Sequence, residues 1–93
     1  MILKVCVYFY SSKRSVFPSL NEKYSPHLVV NDDDEMLGVQ FLSSDLTSFD
    51  AFGNTYIKCI YENVSYQKLK QGTEFKIFEG SQLVGKGYVL EDK

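Results

Sequence analysis

Hydrophobic and polar positions alternate with a period of two through much of the chain. In residues 2–10, Leu3, Val5, Val7 and Phe9 fall on one face and Lys4, Cys6, Tyr8 and Tyr10 on the other, the pattern of a half-buried strand. Residues 27–31, His-Leu-Val-Val-Asn, predict a short strand. In residues 36–42, Leu37, Val39 and Phe41 share a face. Residues 55–62 predict a fourth strand, and 73–79 a fifth, with Phe75 and Ile77 inward and Glu74 and Lys76 outward. Glu79-Gly80-Ser81-Gln82 has the form of a hairpin turn, with a glycine available for positive φ. Residues 83–90 predict the last strand. There Gly85 and Gly87 share a parity, which indicates a strong bend or the close approach of another backbone.

No segment of adequate length shows a 3.6-residue period, and residues 64–71 have room for at most one helical turn. The connection over residues 11–26 holds Pro18, Pro26, Asn21 and several serines. It is longer than a typical loop, and such loops are often functional or clamped over the structure. Six strands separated by turn signals predict a closed barrel or a sandwich. Closure is the better expectation, because a small open sheet this rich in Val and Phe would leave adhesive edges. The expected fold is therefore all-β, a six-stranded antiparallel closed β-barrel, as a single domain over residues 1–93.

Composition supports strands and narrows function. Seven Tyr and seven Phe, with no Trp, suit half-buried pleated surfaces. The net charge of −2 lacks the basic excess of a dedicated nucleic-acid binder, though it leaves room for a local patch. No apolar run is long enough to span a membrane. The amino-terminal apolar run has neither a basic leader nor an A-x-A site. A cytoplasmic location without membrane contact is the expectation. Cys6 and Cys59, with no C-x-x-C and one histidine in the chain, cannot complete a tetrahedral zinc site without carboxylates. Free thiols in strands are expected, and neither a metal nor a cofactor.

From Leu69 to Val89 the residues read Leu-Lys-Gln-Gly-Thr-Glu-Phe-Lys-Ile-Phe-Glu-Gly-Ser-Gln-Leu-Val-Gly-Lys-Gly-Tyr-Val. This stretch resembles the closing hairpin of domain 3 of the elongation factor Tu family: a glycine before a phenylalanine-containing strand, a Glu-Gly turn, then Val-Gly-x-Gly. Pro18 and Tyr24-Ser25-Pro26 resemble that family's crossing loop, and Asn54 to Tyr61 the strand before the hairpin. The resemblance implies a six-stranded antiparallel barrel of the elongation factor Tu domain 3 type. The chain departs from the family in function-bearing places. It has no G-x-x-x-x-G-K-S/T loop, so binding and hydrolysis of GTP are not expected. Of three basic positions with which the family holds transfer RNA, only Arg14 keeps its charge; Ser25 and Gln82 occupy the others.

Candidate chemistry is sparse. His27 is a possible general base, yet it more simply reads as a strand-end histidine. Asp32-Asp33-Asp34-Glu35 fails the spacing of a calcium loop and reads as a solvated turn, with an acidic patch for a basic partner as the alternative. No nucleophile, base and orienting group come together in the sequence, so no catalytic residue is assigned and an enzyme is not expected. Lys13 and Arg14 with Tyr8, Tyr10 and Phe17 form the best basic–aromatic cluster, which Lys68 and Lys70 with Tyr66 would join if the fold brings them near. Tyr56, Tyr61, Tyr66 and Tyr88 suit either an interface or barrel packing. The leading expectation is a non-enzymatic module that binds a protein partner. The alternative is a small RNA-binding domain. Lys13, Arg14, Phe17, Tyr24, His27, Lys68, Lys70 and Gln82 are the candidate contact residues for either.

Overall fold

A computed structural model describes residues 2–18, 24–30, 35–42, 48–61 and 65–92. Its strands are β1 (Ile2–Phe9), β2 (His27–Val30), β3 (Leu37–Phe41), β4 (Gly53–Cys59), β5 (Glu74–Glu79) and β6 (Gln82–Asp92). They close into an antiparallel barrel in the order β1-β4-β3-β2-β5-β6. Closure comes where β6 returns to β1, from Leu3↔Asp92 to Phe9↔Gly85. Every strand thus finds two neighbours, which removes the exposed edges that an open sheet would carry. No helix occurs among the described residues; from residue 65 onward the chain makes two successive turns, in which the Leu69 N–H donates to the Tyr66 carbonyl and the Thr73 N–H to that of Lys70.

The alternation seen in sequence sorts the side chains. Leu3, Val5, Val7, Phe9, Leu37, Val39, Phe41, Phe75 and Ile77 are all buried, and Leu28, Ile57, Tyr66, Leu69, Val84 and Val89 join them in the core. Strand β4 begins two residues earlier than the pattern predicts, because Gly53 and Asn54 pair with Val7 and Cys6 of β1. Pairing with a long neighbour here overrides the weak strand preference of Gly and Asn.

Gly85 and Gly87 face the interior. A Cβ on Gly85 would stand 2.5 Å from the Tyr8 carbonyl oxygen, and one on Gly87 would stand 2.4 Å from that of Cys6. The close backbone approach expected of this glycine pair is present, and a register irregularity in the β5–β6 pairing, between Ile77↔Gly85 and Phe78↔Leu83, lies beside it. The missing side chains leave room for Phe9, Phe75 and Ile77. At the β5–β6 hairpin, Gly80 takes φ 62° as the first of two turn residues between Glu79 and Gln82. Glycine there avoids the steric penalty of a side chain.

Strands β1 and β2 are not neighbours, so the chain between them crosses one end of the barrel. Tyr24–Pro26 run beside β3: the Phe41 N–H donates to the Tyr24 carbonyl and the Val39 N–H to that of Pro26. Phe17 packs its ring on Phe9 at 5.6 Å and on Phe49 at 5.1 Å, and Tyr24 packs on Phe41 at 5.3 Å. Apolar side chains of the crossing segment therefore cap the core at that end. Cys6 and Cys59 are free thiols, Cys6 buried and Cys59 half-buried.

Candidate binding face

The residues singled out by sequence divide between two ends of the barrel. At the crossing end, the Arg14 Nε–H donates to the Glu79 carboxylate at 2.7 Å, and an Arg14 Nη1 donates to the Val16 carbonyl at 2.6 Å. The Tyr24 hydroxyl donates to the same Glu79 oxygen at 2.5 Å. The Arg14 guanidinium also lies 5.8 Å from the Tyr24 ring centre. The Gln82 side-chain amide donates to the Lys13 carbonyl at 2.7 Å. Arg14, Tyr24 and Gln82 thus clamp the crossing segment to the closing hairpin. The Arg14–Glu79 pair is only about a quarter exposed on each side (26% and 29%), so water competes less for it than for a surface pair.

Phe17 is turned inward as part of the cap, while the Lys13 side chain is exposed. His27 sits in β2 between Phe78 and Gly38 and makes no side-chain hydrogen bond to a described residue. Lys68 and Lys70 lie at the opposite end, before β5, separated from Glu79 by a six-residue strand, roughly 17–20 Å. Lys68 pairs with Glu35 at 3.4 Å. Asp32–Asp34 fall outside the described residues. Tyr66, grouped in sequence with these lysines, is buried: its hydroxyl donates to the Gly38 carbonyl at 2.6 Å and accepts from the Tyr61 N–H at 3.2 Å. Tyr61 and Tyr88 remain exposed, and Tyr56 is half-buried.

The clamp has a titration consequence. The Tyr24 hydroxyl is pushed far above its ordinary value, first by burial and then by its hydrogen bond to, and the charge of, Glu79; Arg14 opposes this. An unfolded chain releases this proton near about pH 10, while the folded chain retains it. The folded state then binds more protons, so the stabilisation present below that pH is lost as pH rises beyond it. In a phenolate absorbance titration, Tyr24 should ionise only with unfolding, and Tyr24→Phe should flatten the alkaline loss of stability. If all of the tyrosines ionise while the fold persists, Tyr24 is not shielded in this way.

A second surface lies on the outside of the barrel. Because outward residues of paired strands stand side by side, Tyr8 (β1), Lys86 (β6), Lys76 (β5) and Val29 (β2) form one row. Phe52 precedes the Gly53 that pairs with Val7, and its ring reaches Tyr8 at 5.0 Å. Tyr10 adds to Tyr8 at 5.7 Å, and Tyr88, in the next row, to Phe52 at 6.2 Å. Four rings thus form a continuous outward patch, with Phe52 52% and Tyr88 37% exposed. The Lys86 ammonium sits 5.1 Å from the Tyr8 ring centre and 5.7 Å from that of Phe52, within cation–π range. Beside the rings runs a groove of about 220 Å³, whose lining includes Tyr10, Phe52, Leu83 and Tyr88, the two lysines Lys76 and Lys86, and the carboxylate residue Glu74.

Along the chain Tyr8 and Tyr10 neighbour Lys13 and Arg14, whereas in the fold they stand with Phe52, Lys86 and Lys76. The outward parity of Tyr8, Lys76, Lys86 and Tyr88 was the available signal. Phe52 gave none, because it lies in a stretch of Ser, Asp and Gly. Neither a protein-family model nor a curated protein matches the chain.

Proposed function

We propose that this chain is a non-enzymatic protein-interaction module of the cytoplasm, built on a barrel of the elongation factor Tu domain 3 type, and that its contact surface is the outward face around Phe52 and Tyr88. The closed six-stranded barrel, the segment crossing from β1 to β2 and the closing hairpin support the barrel type. The contiguous patch of Tyr8, Tyr10, Phe52 and Tyr88 carries the functional reading. A barrel whose core is already complete gains nothing from leaving a phenylalanine half-exposed among three tyrosines. Such side chains provide large contact area at small conformational cost and are enriched at interfaces. At the crossing end, by contrast, Arg14 is engaged by Glu79 and Val16, which weakens that end as an RNA grip.

The test is photo-crosslinking in the cells that make the protein. A benzophenone amino acid at position 52 or 88 should give discrete protein adducts, and one at position 70, at the other end, should not. Phe52→Ala with Tyr88→Ala should weaken capture of the same partner at least about tenfold, as expected for central aromatic anchors. Absence of protein adducts from both positions would reject the proposal.

A further inference from the structure

We infer that the partner docks an acidic side chain between Lys76 and Lys86, with a neighbouring apolar or aromatic side chain seated in the groove beside Phe52 and Tyr88. This inference rests on the protein-interaction reading above and adds the chemistry of the partner. Its basis is the pairing of two lysines. Lys76 and Lys86 are directly opposed on adjacent antiparallel strands, and both are exposed. Like charges in that position repel, with Cβ atoms only about 4.5–5.5 Å apart. A cross-strand carboxylate is the usual remedy. Here neither lysine has an ion pair with a described residue. Lys86 instead leans over Tyr8 and Phe52. An incoming carboxylate placed between the two ammonium groups would turn the repulsion into two attractions. The same groove continues along Tyr10, Phe52, Leu83 and Tyr88 and carries Glu74 at its lining, so an uncharged apolar neighbour of that acid suits it better than a second acid.

The surroundings favour an acidic protein segment over a nucleic acid. The Lys86 ammonium lies over one face of each of the Tyr8 and Phe52 rings, where it competes with a stacking base. A polyanion leaving the two lysines would meet Glu74, which is paired with Tyr88 in the next row, or Asp50, two residues before Phe52. Two phosphate contacts also contribute little salt-dependent affinity, and the chain as a whole is at −2. One acidic side chain needs no further positive charge.

A random dodecapeptide library displayed on phage, selected on the full chain, tests this directly. Enriched peptides should carry Asp or Glu next to an aromatic or aliphatic residue. Affinity of the best synthetic peptide should fall at least about tenfold for Lys76→Glu with Lys86→Glu, and by less for the double change to Gln. The Gln variant guards against misfolding of the Glu variant, and thermal melts of both check the fold. Enrichment without acidic bias, no enrichment, or equal affinity of the Gln and Glu variants to the parent would overturn the inference. So would tighter binding of a fluorescent oligouridylate than of any selected peptide, and that result would also count against a protein partner. If the crosslinked partner at position 52 persists in both lysine variants, the interaction module stands and its acidic partner falls.

Discussion

Phe9→Ala should destabilise the barrel by about 3–5 kcal/mol, the range for removing a large buried aromatic. Phe9 ends β1 and is fully buried. Its ring meets Phe17 at 5.6 Å and both Tyr24 and Phe41 at 6.1 Å. Two of these partners belong to the crossing segment and one to β3, so the cavity opens where the end of the core meets its cap. Domains of this size hold roughly 5–15 kcal/mol in total, and the variant should sit close to the unfolding threshold. Urea denaturation should show the lower midpoint. The alkaline titration should also change: with the cap loosened, Tyr24 should ionise nearer to an ordinary tyrosine. A loss below about 1 kcal/mol would mean that the crossing segment does not depend on Phe9.

What the chain shows without a structure is the inward face of each strand. The parity of Leu3 to Phe9 and of Phe75 to Ile77 is enough to assign those core positions, because a strand has only two faces. The glycine pair of β6 likewise announces a tight place in the barrel. Pairing partners are another matter. Arg14 meets a carboxylate 65 residues away, across the crossing segment and the hairpin. No local pattern specifies that contact, since a loop can place an arginine in many positions at similar energy. Lys68 and Lys70 look like companions of Lys13 only while the strand directions are unknown. Antiparallel order puts the two groups at opposite ends. The outward face was half legible for the same reason. Tyr8, Lys86 and Lys76 are outward by parity, but their assembly into one row depends on two inter-strand registers. Phe52 joins them solely through the early start of β4.

Gly87→Ala should cost about 2–3 kcal/mol, within the range for overpacking a filled interior, and should weaken partner binding even where the protein still folds. The added methyl would stand 2.4 Å from the Cys6 carbonyl oxygen and 2.9 Å from two atoms of the Phe75 ring. The second contact can give way, because a ring can be shortened. The first is backbone in the adjoining strand and cannot move without shifting β1 against β6. Phe75→Leu in the Gly87→Ala background should therefore recover part of the loss and not all of it. A double-mutant cycle should give a favourable coupling of about 0.5–3 kcal/mol. Complete recovery would place the whole conflict in the ring, and a single-variant loss below about 0.5 kcal/mol would mean that the strands lie farther apart than described. The functional consequence follows from position. Gly87 lies between Lys86 and Tyr88, so a displaced β6 backbone moves both side chains out of line with Tyr8, Phe52 and Lys76. The inward glycine that lets Phe75 fill the barrel thereby also fixes the outward row of the proposed contact surface.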